Sequence, residues 1–297
     1  MIQDLNDLRV FYTIAENGSI SRAADVLHVS QPAVSQTVRN LERDTGFPLF
    51  IRSSKGVKLT AEAQEIYSYC KTIFKQVDEL NQSVEGHSTL ETGILTIGAS
   101  DTICKYYLID RLKSFEKLYP AIRYRVTNCT TAESLRLLKQ RDVDISFVHT
   151  PIPLHSVSGI SLQDCLTLED YFVCSRDFDA SLIHSLSDLT KYRTLLLENT
   201  SSSRKVLDEN LLKYDVRLKP KFELASLDLL IEFCKKNMGI ICVAKQYIQS
   251  ELENGELKLI DIPEHLDVRH ISLATDDEYV SKAAQRFIEH IHSEDFN

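Results

Sequence analysis

Apolar residues in the first sixty positions recur with the period of short helices. Leu5, Leu8, Phe11, Tyr12, Ile14 and Ala15 lie on one helical face, and Asn17-Gly18 supplies a C-cap. Ser19 suits the N-cap of a second helix, Ile20 to Leu27, whose Ala23, Ala24 and Leu27 face inward. After the connector His28-Val29, Ser30 is a good N-cap and Pro32 falls in a first helical turn, where its missing N–H costs little. This third helix runs to about Thr45 and stops at Gly46. Val34, Val38 and Leu41 form its apolar stripe. Pro32, Ser35, Gln36, Arg39, Asn40 and Arg43 lie opposite. Two short helices, a tight turn and a third helix with a hydrogen-bonding face predict a helix-turn-helix. Gln, Ser, Asn and Arg are the side chains that read base edges or hold phosphates, although such a face also suits plain solvation.

The pattern then changes. In FPLFIRSSKGVKLT two short β-prone runs flank Ser53-Ser54-Lys55-Gly56, which predicts a hairpin with a basic tip. From Thr60 a long helix extends to about Val84. Ile66, Cys70, Ile73, Val77, Leu80 and Val84 are spaced as the a and d positions of a heptad, so this helix is expected to pair with a second copy. Ile66, Ile73, Val77 and Leu80 are the candidate dimerisation residues, with Cys70 in the same seam. EGHSTLETG, residues 85–93, is polar and reads as a hinge.

Beyond it strand-like and helix-like runs alternate: ILTIGA, IRYRVTN, ISFVH, TLLLEN, FELA, IICVA and HISLAT are separated by helical stretches. Such alternation predicts an α/β fold with largely parallel sheets, in about 200 residues that suit two lobes. The expected domains are a winged helix-turn-helix at 1–60, a linker and dimerisation helix at 61–86, and a two-lobed α/β domain at 87–297. Lobe 1 is expected at about 93–160 and 268–297, and lobe 2 at about 161–267.

Charge sharpens this division. The chain of 297 residues carries net charge −9. Residues 31–60 nevertheless hold five Lys and Arg against two Asp and Glu, so the acidity lies elsewhere and a uniformly basic nucleic-acid binder is excluded. No run approaches the roughly 20 apolar residues of a membrane span, and no signal-peptide pattern opens the chain, so a cytoplasmic location without membrane attachment is expected. Seven scattered cysteines without a CxxC pair read as reduced thiols. No catalytic motif and no metal-spaced His/Cys set appears, so neither catalysis nor a metal or other cofactor is expected.

Hydroxyl residues recur at the junctions between strands and helices: Ser100 and Thr102, Thr130 and Thr131, Ser202, and Ser226, with His149 at a further strand end. Each hydroxyl singly reads as an N-cap. Together they suit a cleft for a small anion, held by hydroxyls and helix N–H groups. His149 reads equally as an anion donor, a pH-sensitive group or a buried structural histidine. Arg204 could meet a ligand carboxylate or brace a loop.

The segment ENGSISRAADVLHVSQPAVSQTVRNLERDTGFPLFIRSSKGVKLTAEA resembles the winged helix-turn-helix of LysR-type transcriptional regulators. The likeness rests on the Ala-Ala pair, S-Q-P-A-V-S, N-L-E, and L-F-x-R followed by L-T. It implies that Gln31, Pro32, Ser35 and Gln36 face bases and that Arg52 and Lys55 serve the wing. With Ser21 and Arg39 these form the candidate DNA-binding set. The family often carries Arg where Gln36 stands, so a guanine contact there is not implied. The resemblance further implies a homodimer or homotetramer on promoter DNA with two half-sites, and allows contact with RNA polymerase. It also implies a two-lobed effector domain like the periplasmic solute-binding proteins, with the small molecule between the lobes. Two alternatives remain. One is a redox-responsive regulator, since Cys104 and Cys129 fall near the cleft and Cys165 and Cys174 on strands expected to be adjacent. Their positions do not match the pattern of peroxide-sensing members. The other is a cytoplasmic solute-binding protein without DNA function.

Overall fold

The computed structural model describes residues 4–53, 56–85 and 93–295. The chain divides into two units, Met1–Thr89 and Leu90–Asn297. In the first, every short helix starts at a side-chain cap. Asp4 caps α1 (Leu5–Asn17), Ser19 caps α2 (Ile20–Leu27) and Ser30 caps α3 (Gln31–Thr45). Each satisfies an otherwise orphaned amide. Gly18 and Gly46 close α1 and α3 in the left-handed region, and His28 closes α2 there with φ 55°. The apolar stripes meet as the sequence pattern predicts: Phe11, Ile14, Ala23, Val34, Val38 and Leu41 share one core.

The hairpin is β1 (Phe50–Ser53) and β2 (Gly56–Leu59), antiparallel with Phe50 opposite Leu59. Gly56 is required there. Its φ is 118°, and a Cβ would lie 2.5 Å from the carbonyl oxygen of Gly18. The Val57 amide donates to that same oxygen at 3.0 Å, fastening the hairpin to the α1–α2 turn.

Thr60 caps α4 (Ala61–Glu85), accepting from the Ala63 amide at 3.2 Å. The expected seam is only partly available on this helix. Cys70 is 1% exposed inside the helix-turn-helix core, with Phe74 beside it and Ile66 packed against it. Tyr12 stacks on Tyr67 and leans on Phe74, which pulls this face of α4 onto α1. Ile73 and Val77 are half-buried and Leu80 is 62% exposed. Cys70 is therefore a core residue of its own subunit. The Val84 side chain lies outside the described residues.

The second unit has two lobes. In the first, β3 (Gly93–Ala99) runs parallel to β4 (Ile122–Asn128) and β5 (Ile145–Thr150). Between β3 and β4 lies α5 (Asp101–Ile103), continued through a π-helical turn at Cys104–Leu108 into α6 (Ile109–Leu118). Between β4 and β5 lies α7 (Thr131–Lys139). A further strand, β6 (Ile160–Leu168), belongs to the same sheet. The chain then crosses through Glu169 into β7 (Asp170–Ser175) of the second lobe. There β8 (Leu195–Leu197), α8 (Ser202–Lys213), β9 (Phe222–Leu224), α9 (Leu227–Lys235), β10 (Ile241–Ala244), α10 (Gln249–Glu253) and β11 (Leu257–Leu259) follow. The return strand β12 (Arg269–Asp276) re-enters the first sheet, and α11 (Lys282–Asp295) covers it.

Three expectations need correction. β12 pairs antiparallel with both β5 and β6, so the five-stranded sheet is mixed, and β7 pairs antiparallel with β10 and β11, so that sheet is antiparallel throughout. A strand that returns from another lobe enters opposite to the βαβ strands. Residues 161–168 belong to lobe 1, because β6 is hydrogen-bonded to β12 along its length. Cys165 and Cys174 lie on consecutive strands of different sheets and are not neighbours across a ladder.

At the crossover Arg269 pairs in register with Leu168, one residue before the lobes part. Its Nε and Nη2 donate to both carboxylate oxygens of Asp170, at 2.5 and 2.7 Å, and Nη1 donates to Ser203 Oγ at 3.0 Å. The two side chains are 3% and 8% exposed. Asp170→Ala leaves this guanidinium buried without a counter-charge and is expected to destabilise the domain by about 3–5 kcal/mol in urea unfolding. Combining Asp170→Leu with Arg269→Met is expected to recover most of that loss. A single-variant loss under about 1 kcal/mol would contradict the structural role.

Candidate functional site

The DNA-reading candidates lie on one exposed face. Gln31, Pro32, Gln36 and Arg39 of α3 and Ser21 of α2 are exposed, and Ser35 is half-buried. Val34, Val38 and Leu41 hold the opposite side of α3 in the core. The polar side chains are tied to one another: Arg39 donates to Gln36 Oε1 at 2.6 Å, and Gln36 donates to Asn40 Oδ1 at 3.1 Å. Ser21 donates to Gln31 Oε1 at 3.4 Å, linking α2 to the start of α3. Lys55 lies outside the described residues. Arg52 is described for its place in β1 alone.

In the second unit all seven effector candidates line one cavity of about 500 Å³. It lies between the lobes, beyond the strand C-termini of β3, β4 and β5 on one side and at the starts of α8 and α9 on the other. Three of the hydroxyls there also cap helices. Ser100, Thr130 and Ser226 each accept an amide at 3.4 Å, and Thr131 Oγ1 accepts from the His149 amide at 3.4 Å. At α8 the N-cap Ser201 makes no side-chain bond. That leaves the start of this helix polar and positively poised.

His149 is 7% exposed. Burial first, then the nearby Arg269 charge, drive its pKa down to about 3, while a bond to the backbone of His270 works weakly the other way. Of the readings open for His149, burial favours that of a neutral, buried imidazole. Arg204 takes the bracing role. It is buried and donates to Asp208, Glu223 and the Leu197 carbonyl.

The sequence reading missed Arg269, Asp170 and Tyr247, which also line the cavity. Arg269 and Asp170 stand 99 residues apart, so no local pattern joins them. A charged residue at the first position of each of two strands was the available signal. At the rim, Lys105 and Tyr106 of the π-helical turn both donate to Asp228 of α9, at 2.8 and 3.1 Å. Tyr106 also stacks on Tyr247 at 4.6 Å, so two first-lobe side chains touch the second lobe.

Five of the seven thiols offer little to an oxidant. Burial pushes Cys70 and Cys104 up to about 11 and Cys234 to about 12, and raises Cys174 and Cys242. A thiol so far above neutrality is scarcely ionised, and the thiolate is the reactive form. Among the described residues, no group of three or more His, Cys, Asp or Glu is placed to hold a metal ion. No helix there is long and apolar enough to cross a membrane.

Comparison with known proteins agrees with both units. Residues 5–64 match the model described as bacterial regulatory helix-turn-helix protein, lysR family, and residues 88–295 match the LysR substrate binding domain. The chain belongs to the LysR family and is a transcriptional regulator with a helix-turn-helix and an effector-binding domain. A probable RuBisCO transcriptional regulator of Synechocystis sp. is 29% identical over 300 residues, covering 97% of this chain and 85% of its own. One from Trichormus variabilis is 30% identical over 295 residues, covering 97% and 87%. Among solved structures, full-length OxyR from Pseudomonas aeruginosa shares the fold with TM-score 0.73 at 19% identity, covering 99% of this chain and 95% of that one.

The depressed His149 pKa has a consequence for stability. Only the unfolded chain takes up this proton between about 6.5 and about 3, so stability due to His149 is complete above pH 6.5 and is lost as pH falls towards 3. His149→Gln is expected to flatten the pH dependence of urea unfolding across that window by up to about 1.4 kcal/mol per pH unit. Parallel curves for the two proteins would contradict the burial of a neutral ring.

Proposed function

We propose that the protein binds promoter DNA at a site with two half-sites, as a homodimer or homotetramer, and that a small anionic effector between the lobes modulates this. The carrying observation is the convergence of Ser100, Thr102, Thr130, Thr131, His149, Ser202 and Ser226 on a single cavity. The exposed face of α3, with Gln31, Pro32, Ser35, Gln36 and Arg39, supports the reading of a major groove. Ser21, Arg52 and Lys55 are assigned to flanking and wing contacts. The family membership supports a location with the DNA in the cytoplasm and contact with RNA polymerase. Ile73, Val77 and Leu80, which their own subunit leaves half or fully exposed, support pairing through α4. Ile66 contributes less, because it leans on its own core.

Footprinting on the protein's own promoter region, with random DNA as competitor at physiological salt, tests the first half. Ser35→Ala with Gln36→Ala is expected to remove at least about 2 kcal/mol of discrimination between operator and random DNA, with thermal stability unchanged. Retained discrimination would remove these residues from the reading face.

Thr102→Ala with Ser202→Ala tests the second half. Operator affinity without effector is expected to stay within about twofold, and the change in footprint on adding a small-molecule fraction of cell extract to fall at least about tenfold in sensitivity. An unaltered response would sink the hydroxyl-lined cavity as the effector site.

A further inference from the structure

Three side chains on the polar face of α3 hold one another. Arg39 Nη2 donates to Gln36 Oε1 at 2.6 Å, and Gln36 Nε2 donates to Asn40 Oδ1 at 3.1 Å. Their spacings of three and four residues are those at which helical side chains meet. Val34, Val38 and Leu41 anchor the other side of the helix in the core, so the relay sits on a fixed backbone. An arginine has donors alone. The atom it meets is therefore the carbonyl oxygen of Gln36, which turns the amide nitrogen to Asn40. Asn40 in turn accepts, and its own NH2 group remains a donor.

This relay decides what the middle of α3 offers to a base edge. A glutamine reads adenine by accepting from N6 with its oxygen while it donates to N7. Those two atoms of Gln36 are already turned to Arg39 and Asn40, and the bond to Arg39 is charge-assisted. Guanine asks for no such exchange. It presents two acceptors, O6 and N7, and a guanidinium meets them with two parallel N–H groups. Arg39 is exposed, and Gln36 takes one of its five N–H groups. The same bond holds a long side chain in one rotamer, so less freedom is lost when DNA arrives. Arg43 shares this face, but it stands in the last turn, with Asp44 at 3.9 Å. Recognition helices touch base edges with their N-terminal residues, and Arg39 is the nearer arginine to that end.

We propose that Arg39 is a specificity-determining residue, reading a guanine in each half-site, and that Gln36 is its positioning residue, steadied by Asn40. The inference rests on α3 as the reading face and narrows it. A base pair that offers guanine O6 and N7 to Arg39 keeps the relay whole. Adenine at the same place sets its N6 donor against a guanidinium that has no acceptor, or breaks the relay to reach Gln36.

The test is selection of binding sites by the full chain from random-sequence duplex DNA. Titrations then compare the selected site with copies in which single base pairs are exchanged. A guanine is expected in each half-site, and its exchange for adenine is expected to weaken binding by at least about tenfold. Arg39→Gln is expected to cut that preference to within about threefold. Its melting temperature is expected to match that of the parent, because the side chain is exposed. Gln36→Leu is expected to lower the preference partway. Gln36→Glu keeps an oxygen for Arg39 and is expected to retain it. Each result is read as a ratio of affinities for two sites, so the general effect of altered charge on phosphate contacts cancels. A guanine preference that survives Arg39→Gln, a selected adenine that depends on Gln36, or equal ratios for Gln36→Leu and Gln36→Glu would overturn the inference. In those cases a selected sequence that is lost with Ser35→Ala and Gln36→Ala together would leave α3 as the reading face. If no sequence were selected, or the double substitution left selection unchanged, that reading would fall with the inference.

Discussion

Two chain segments pass between the lobes, and a charge pair is buried where they pass. Arg269 opens the strand that returns to the first lobe, and Asp170 opens the strand that enters the second. Their two-pronged contact fixes the distance between the segments to that of a hydrogen bond. Burying both ions costs heavily in desolvation, and a hydrophobic pair of similar volume often serves stability as well. The pair therefore makes more sense as a geometric constraint. It sets the crossover and aims a third guanidinium nitrogen at Ser203 on α8. After burial, the nearby Arg269 charge is the second cause that lowers the His149 pKa.

The sequence was most legible where structure is local. Ser19, Ser30, Gly18 and Gly46 each act within one turn of chain, and the helix ends fall where they place them. The hydroxyls of the cavity were found for the same reason, because a strand–helix junction carries its own cap. Long-range features were not legible. Nothing near Arg269 indicates Asp170, and nothing in the alternation of runs tells that β12 inserts antiparallel between β5 and β6. The lobe boundary erred by one strand because β6 is followed by its crossover after a single residue, with no turn signal between them.

The seam on α4 teaches a related lesson. A 3–4 spacing of apolar residues says that one face is buried and is silent about what buries it. Here the two halves of the helix differ. Its first half, with Ala63, Cys70 and Phe74, completes the core of the helix-turn-helix. Ile73, Val77 and Leu80 are left half or fully exposed. Phe74, off the heptad seam, was the cue that the stripe drifts around the helix.

The cavity carries no uncommitted arginine, and this bears on how it discriminates. In a chain of net charge −9, long-range attraction contributes little to capturing an anion. Selection falls to short-range hydrogen bonds, whose geometry the caps and the crossover pair hold fixed. Three of the four hydroxyl-bearing helix starts already have their amides answered by Ser100, Thr130 and Ser226. The helix start without a side-chain cap is that of α8, and among the buried atoms without a partner are Nδ1 of His149 and the hydroxyl of Tyr247. A ligand that satisfies them gains more than one that merely fills the volume, because each buried polar atom left without a partner subtracts from affinity. The rim contacts of Lys105 and Tyr106 with Asp228, and the Tyr106–Tyr247 stack, join that floor to the opposite lobe. Tyr247 is thus a side chain that both lobes share, and a change in its packing bears directly on the spacing between them.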